Sequence, residues 1–177
     1  MARRQSLPLL WLLSDARNDA RLEAALARLP AGSGFVFRHY HLDDAARQAR
    51  FARLAGIARE RGHRLVVSGT PAQAREWGAD GVYGRVDRLG EPDGLLRLAT
   101  AHDGGEIQAA VAARADALFL SPVFPSRSHP GARALGVHGF AVLAQQASVP
   151  VIALGGMTAA RARALDWPRW GAIDGLS

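Results

Sequence analysis

The fold is decided by the stretch Asp116-Ala-Leu-Phe-Leu-Ser-Pro-Val-Phe-Pro-Ser-Arg-Ser-His-Pro-Gly-Ala-Arg-Ala-Leu-Gly136, together with Val149-Pro-Val-Ile-Ala-Leu-Gly-Gly-Met-Thr158 shortly downstream. In both, a short apolar run typical of a buried strand breaks abruptly into small, hydroxyl-bearing or glycine residues. Parallel sheets deliver binding loops in this way, at the carboxyl ends of their strands. We therefore expect two adjacent strand-to-loop junctions at one edge of a parallel sheet.

The loops after these two strands carry groups that suit an oxyanion. The first loop offers the hydroxyls of Ser126 and Ser128 with His129 beside them, and its prolines limit its freedom. The second ends in Gly155-Gly156 before a helix start at Thr158, so bare backbone N–H groups would face the same anion. Either loop alone could be an ordinary turn. At neighbouring strand ends, the two together predict a phosphate site.

The rest of the chain alternates strands with helices. Strands are predicted at 7–13, 35–37, 64–68, 78–84, 95–100, 117–120, 150–154 and 171–177. Helices are predicted at 19–29, 43–61, 103–114, 137–147 and 158–165, with short ones after Thr70 and before the fifth strand.

This alternation predicts an α/β fold of the (β/α)8 TIM-barrel type, formed by one domain over residues 1–177. The barrel is short, and we expect it to lack the helix after strand 8. Apolar barrel surface left uncovered by that helix favours a homodimer. An open, doubly wound sheet is the alternative fold.

The composition excludes several kinds of chemistry. There is no cysteine, which excludes disulfides, thiolate zinc sites and cysteine nucleophiles. All 22 basic residues are arginine, which excludes a lysine Schiff base. No apolar run is long enough to span a membrane, and Pro8 interrupts the apolar run near the start, which we interpret as a first strand rather than a signal peptide. We expect a cytoplasmic protein with no membrane partner.

The net charge of +6 and the pI near 11.2 could indicate a nucleic-acid partner. However, the arginines of the second helix recur at helical spacing without interleaved aromatic residues. We interpret them as solvated helix faces, with Arg47 at the barrel rim, and expect no nucleic-acid binding.

Five segments resemble, in order and spacing, the thiamine phosphate synthase and thiazole tautomerase superfamily. They are Gly78-Ala-Asp-Gly-Val82, Thr100-Ala-His102, the run from Ala115 to His129, Pro150-Val-Ile-Ala-Leu-Gly-Gly-Met157 and Gly171-Ala-Ile-Asp-Gly175. The similarity extends from the second strand to the C-terminus. Its specific part is the pair of loops after strands 6 and 7.

The resemblance implies an activity. In this family the synthase joins a hydroxymethylpyrimidine diphosphate to a thiazole phosphate, which releases diphosphate and forms thiamine phosphate. It also implies that Mg²⁺ holds the diphosphate while the pyrimidine methylene carbon ionises and the thiazole nitrogen captures the cation. Phosphorylated small molecules are thus the expected partners, and groups that stabilise negative charge are the expected machinery.

The resemblance also assigns residues. By position, Ser126 and Ser128 match the paired threonines that hold the thiazole phosphate, and Gly155 with Gly156 completes that cradle. The implied catalytic set is Arg38, Thr100, His102 and His129.

The chain departs from the family pattern at several positions. Tyr40 occupies the place of a diphosphate-binding lysine, and His129 stands where a lysine should follow the hydroxyl pair. Ser68-Gly69 replaces an Asn-Asp pair that supplies one Mg²⁺ ligand, which leaves Asp87 as the candidate metal ligand. The tautomerase branch has a histidine where this chain has Pro122.

Two other functions stay open at this point. One is an isomerase or tautomerase acting on a thiazole phosphate, with His102 or His129 transferring protons. The other is a catalytically silent relative that binds a phosphate ligand without turnover. A transition-metal site could also be built from three histidines, His39, His41 and His129, together with Asp87. The spacing of these residues gives no ligand motif to support it.

Overall fold

Eight parallel strands close into one barrel in sequence order. The computed structural model describes residues 6–128, 130–131 and 133–177. The strands are β1 Leu10–Leu13, β2 Gly34–Phe37, β3 Arg64–Val67, β4 Gly81–Gly84, β5 Leu96–Ala101, β6 Ala117–Leu120, β7 Val151–Ala153 and β8 Trp170–Ala172. Each strand pairs with the next, and β8 pairs with β1 through Leu12 and Ala172. The predicted TIM barrel is confirmed, and this last pairing excludes the open sheet.

The helices cover the outside of the barrel. They are α1 Leu22–Arg28, α2 Asp44–Glu60, α3 Pro71–Glu76, α4 Gly104–Ala112, α5 Gly136–Ala144 and α6 Ala159–Leu165. Three single turns of 3-10 helix lie at Asp19–Arg21, Val86–Arg88 and Asp174–Leu176. The second of these is all the helix that connects β4 to β5, as the short spacing predicted.

Several predicted boundaries differ from the structure by one to five residues, and three of them differ for clear local reasons. The first strand begins at Leu10, because the carbonyl of Pro8 turns to accept a hydrogen bond from the indole of Trp11 at 3.0 Å. The first helix begins with a 3-10 turn at Asp19. The eighth strand ends at Ala172, and Gly175 then packs so closely on the loop after β7 that a Cβ there would lie 2.2 Å from the carbonyl of Met157.

Side-chain caps begin the helices that follow the site loops. The hydroxyl of Thr70 accepts from the backbone of Gln73, the carboxylate of Asp103 from Glu106, and the hydroxyl of Thr158 from Arg161. Each cap satisfies a backbone N–H that would otherwise have no partner in the first turn. The caps therefore fix where each loop ends and its helix begins.

Two apolar layers surround the strands. Residues that point outward pack against the helices, and those that point inward fill the barrel. Trp11 and Phe119 meet edge to face inside the barrel at 5.8 Å, and the ring of Trp11 takes the space beside Gly34 that a side chain would need. The interior is thus packed, and open space is left at the carboxyl end of the strands. None of the helices in the described ranges combines the length and apolar character of a membrane span.

Candidate active site

A cavity of about 1370 Å³ opens at the carboxyl ends of the strands. Loops after β2 to β8 contribute to its wall. All the predicted site residues that the structure describes line it, namely Arg38, Asp87, Thr100, His102, Ser126, Ser128, Gly155 and Gly156. His129 lies outside the described residues. The structure thus brings these residues together at one cavity, while their assignment as a functional site and the role of each stay predictions.

The loops after β6 and β7 are joined into one unit. The backbone N–H of Val123 donates to the carbonyl of Leu154 at 2.9 Å. Gly155 and Gly156 have φ angles of 96° and 62°, in the left-handed region that favours glycine. A Cβ on Gly156 would lie 2.5 Å from the carbonyl of Pro125. Both glycines are therefore required by conformation and by close contact, and they bring their backbone next to the hydroxyl loop.

One hydroxyl of the pair is held in place by an arginine that the sequence did not reveal. Arg17, from the loop after β1, donates to the hydroxyl oxygen of Ser128 at 2.8 Å. The same guanidinium lies 3.8 Å from Asp174, which also pairs with Arg127 at 3.1 Å. Since the oxygen of Ser128 accepts from Arg17, its proton is left to donate to a ligand. Ser126 has no hydrogen-bond partner within the described ranges.

Arg38 lies at the end of β2, across the barrel from the hydroxyl loop. Its side chain is 16% exposed and pairs weakly with Asp15 at 3.5 Å. Its Nε is buried and has no partner among the residues that the structure describes. Its guanidinium also lies over the ring of Tyr40, 5.3 Å from the centroid. The side chain is thus both part of an ion pair and incompletely satisfied, which suits a group that binds an anion.

Polar side chains also follow β2, β3 and β5 at the cavity. Tyr40 shares a 2.7 Å hydrogen bond with the hydroxyl of Ser68. Thr100 lies in β5, and His102 follows it. The Nδ1 of His102 lies 2.8 Å from Glu106, in the first turn of α4, and this contact orients the imidazole.

The carboxylates of the cavity are mostly engaged by arginines. Asp87, the predicted metal ligand, lies in the 3-10 turn after β4, is 65% exposed and pairs with Arg85 at 3.3 Å. Asp174 is held by two arginines. Asp87 and Asp44, both exposed at the cavity wall, are therefore its accessible carboxylates.

In the described part of the chain, one group of three side chains could coordinate a metal ion, and it lies outside the cavity. It consists of Asp19, His39 and His41. Nε2 of His39 lies 2.7 Å from Asp19, and its Nδ1 lies 2.8 Å from the hydroxyl of Ser14. Arg50 donates to the same Asp19 oxygen at 2.7 Å. With both nitrogens of His39 hydrogen-bonded, we interpret this group as a structural network that joins the loop after β1 to α2.

The prediction that the arginines of the second helix form solvated faces was wrong for two of them, although the predicted position of Arg47 at the barrel rim is confirmed. Arg50 binds Asp19 and Glu23, and Arg47 is buried, with only 8% of its surface exposed. Arg47 lines the cavity between the ends of β2 and β3. The partners of both come from other elements of the fold, so helical spacing alone could not identify them.

Fold and site together define the class of the protein. A closed parallel barrel with a polar cavity at the carboxyl ends of its strands is the architecture of (β/α)8-barrel enzymes. The chain belongs to the thiamine monophosphate synthase family, whose model matches residues 10–166. The resemblance drawn from the sequence is thereby confirmed, and the chain is an enzyme of this transferase family.

Individual relatives agree with this assignment. The thiamine-phosphate synthase of Chromobacterium violaceum is 34% identical over 163 residues, which cover 84% of this chain and 76% of the relative. That of Thiobacillus denitrificans is 32% identical over 160 residues, covering 82% and 72%. The solved structure of a thiamine phosphate pyrophosphorylase from Pyrococcus furiosus superposes with a TM-score of 0.78 over 93% of this chain and 84% of that one. At 22% identity, this last similarity shows the fold.

Proposed function

We propose that the protein couples a hydroxymethylpyrimidine diphosphate to a thiazole phosphate and releases diphosphate. The observation that carries this proposal is the arrangement of one cavity with two different anion-binding ends. Ser126 and Ser128 lie in the loop after β6, and Arg38 lies at the end of β2, four strands away around the ring. A cavity of about 1370 Å³ has room for two phosphorylated ligands side by side.

The hydroxyl and glycine end suits the monophosphate. Ser126 and Ser128 supply O–H donors, and Gly155 and Gly156 bring backbone close to the same space. Donors fixed by the interlocked loops lose little freedom when a phosphate binds. Arg17 would add to this by holding the hydroxyl of Ser128 in one orientation.

The arginine end suits the leaving diphosphate. In the proposed reaction the bond between the pyrimidine methylene carbon and the diphosphate oxygen breaks, and the electron pair leaves with the diphosphate. The thiazole nitrogen then gives its lone pair to the carbon, so no proton need move. The protein's task is to stabilise the charge that develops on the diphosphate, and Arg38 is placed for it. Thr100 and His102 line the cavity at the end of β5, between β2 and β6 in the strand order, and we propose that they lie beside the reacting carbon.

Mg²⁺ is the cofactor that we propose for this step, and Asp87 is the residue that would hold it. The fit rests on the chemistry of this side chain, a hard oxygen donor that is 65% exposed at the cavity wall. Mg²⁺ commonly takes one or two carboxylates, with water and substrate phosphates as its other ligands. When bound, the ion would supply further neutralisation of the diphosphate charge. The homodimer and the cytoplasmic location stay predictions.

The test is direct synthesis from the two precursors, with thiamine phosphate and diphosphate measured together. We expect the two products in equal amounts, with activity lost on chelation of Mg²⁺ and reduced by S126A/S128A. Ser148→Ala, an exposed serine before β7, is the matched control and should retain activity. Proton exchange on the thiazole without coupling would instead indicate the tautomerase. Ligand-induced stabilisation without turnover would indicate a silent binding protein.

A further inference from the structure

Arg47 is a buried cation in the wall of the cavity. It lies near the start of α2, and 8% of its surface is exposed. Arginine is almost never buried to this extent without a partner for its charge. The groups around its guanidinium therefore show whether the charge is neutralised within the protein.

The guanidinium is positioned by three hydrogen bonds and two aromatic rings. Its Nε donates to the carbonyl of Arg38 at 2.9 Å, its Nη2 to the carbonyl of Ser68 at 2.5 Å, and its Nη1 to the side-chain oxygen of Gln73 at 3.3 Å. It lies over Phe37 and Trp77, 5.5 and 5.4 Å from their centroids. Three of its five N–H groups are thus used, and the side chain is locked between the ends of β2 and β3.

All three hydrogen-bond partners are neutral. Within the described ranges, no carboxylate lies within 4 Å of the guanidinium, whereas Arg38, Arg85 and Arg127 at the same cavity each pair with an aspartate. Asp44, one turn earlier on α2, attracts Arg47 only from a greater distance. Carbonyl groups and rings orient a guanidinium but do not neutralise it. The positive charge of Arg47 therefore lacks a direct ion-pair partner among the described residues.

We propose that Arg47 is a binding residue for the diphosphate of the pyrimidine substrate, whose negative charge completes the neutralisation of this buried cation. The inference rests on the proposed function and assigns one of its two anion-binding ends. Arg47 holds the backbone carbonyl of Arg38, so both guanidinium groups serve the same end of the cavity.

The test measures binding of inorganic diphosphate and, separately, of inorganic phosphate by calorimetry. R47Q removes the charge, and R47K keeps it while losing most of the fixed hydrogen bonds. We expect R47Q to weaken diphosphate binding about 100-fold and R47K about tenfold or less, since charge-assisted hydrogen bonds are the strong ones. The affinity of R47Q should also depend less on salt. Phosphate binding at the hydroxyl loop should change little in either variant.

Arg53→Gln is the matched control, because Arg53 lies on the same helix, is 72% exposed and pairs with Glu23 outside the cavity. It should bind diphosphate like the wild type. Equal losses in R47Q and R47K, or equal weakening of phosphate and diphosphate, would show that Arg47 only holds the fold together and would overturn the inference. If R47Q does not fold, R47K still tests the inference, because it should weaken the binding of diphosphate more than that of phosphate.

Failure of the inference about Arg47 can be distinguished from failure of the proposed function. Wild-type synthesis of thiamine phosphate with unchanged diphosphate affinity in R47Q rejects the role of Arg47 alone. Selective loss of diphosphate binding in R47Q, from a protein that makes no thiamine phosphate, rejects the proposed reaction and leaves Arg47 as an anion ligand.

Discussion

The backbone N–H of Phe124 donates a 3.0 Å hydrogen bond to the carbonyl oxygen of Gly155. This bond extends the pairing of β6 with β7 beyond the ends of both strands. The hydroxyl loop and the glycine loop are consequently held at a fixed separation before any ligand arrives. Preorganisation of this kind limits the entropy that binding costs.

Gly156→Ala tests whether the contact between the hydroxyl loop and the glycine loop requires a residue without a side chain at position 156. The φ of Gly156 is 62°, and a Cβ would meet the carbonyl of Pro125 at 2.5 Å. We expect the free energy of unfolding to fall by about 1–3 kcal/mol and phosphate binding to weaken as the loops separate. Gly56→Ala, in an open position on α2, should instead stabilise by about 1 kcal/mol or less. Denaturant unfolding of both variants checks this, and equal stability would contradict it.

Arg17→Met tests the support of the hydroxyl pair. Because Arg17 donates to Ser128 at 2.8 Å, its removal should weaken inorganic phosphate binding by about tenfold, through a hydroxyl that is no longer oriented. R17M/S128A should then be little worse than S128A alone, since the two residues act through one contact. Calorimetric titration of the wild type, both single variants and the double variant measures this coupling. Arg21→Met, an exposed arginine nearby, is the control, and strict additivity would show that Arg17 does not act through Ser128.

His39→Asn tests the network behind the site. Burial lowers the pKa of His39 below its ordinary value of 6.5, despite the opposing hydrogen bond to Asp19. As the pH falls below 6.5, the unfolded state takes up a proton that the folded state resists, so stability is lost until the folded pKa is passed. Asparagine tolerates the φ of 42° at this position. The variant should be less stable near pH 8, but its unfolding free energy should fall less between about pH 6.5 and 5.

Unfolding curves recorded across this range test the prediction, with His138→Asn, at an exposed position on α5, as the control for removing a histidine. If His39→Asn and the wild type lose stability in parallel as the pH falls, the buried imidazole is not the group whose protonation causes the loss.

The sequence was informative wherever a local pattern determines structure. Apolar runs ending in Ser126 and Gly155 marked the strand ends, and parallel strands then place such loops on one rim, which predicted the position of the cavity. The contacts of Arg17 and Arg47 could not be predicted in this way. The contact of Arg17 with Ser128 joins residues 111 positions apart. The burial of Arg47 depends on rings contributed by β2 and the end of α3.

Tyr83 provides a test from the barrel interior, where it packs against Phe119 with ring centroids 5.2 Å apart. Burial raises the pKa of Tyr83 from its ordinary 10.0 to about 12. Above pH 10 the unfolded chain therefore loses a proton that the folded protein keeps, and stability falls as the pH rises. Tyr83→Phe retains the ring and removes the ionisable group. We compare the free energy of unfolding of the variant with that of the wild type at pH 8 and at pH 11. The difference should shift in favour of the variant by about 1 kcal/mol between these two pH values.

The chain has two tyrosines, so Tyr40→Phe leaves Tyr83 as the single phenol to follow by ultraviolet absorbance. In that variant we expect no phenolate signal from the folded protein at pH 10, and a full signal once denaturant is added at pH 11. Unfolding curves for Y40F and Y40F/Y83F at pH 8 and pH 11 then isolate the contribution of the Tyr83 hydroxyl to the free energy of unfolding. A phenolate signal from folded Y40F at pH 10 would mean that water reaches the ring of Tyr83 from the cavity, and that the barrel interior beneath the site is not closed.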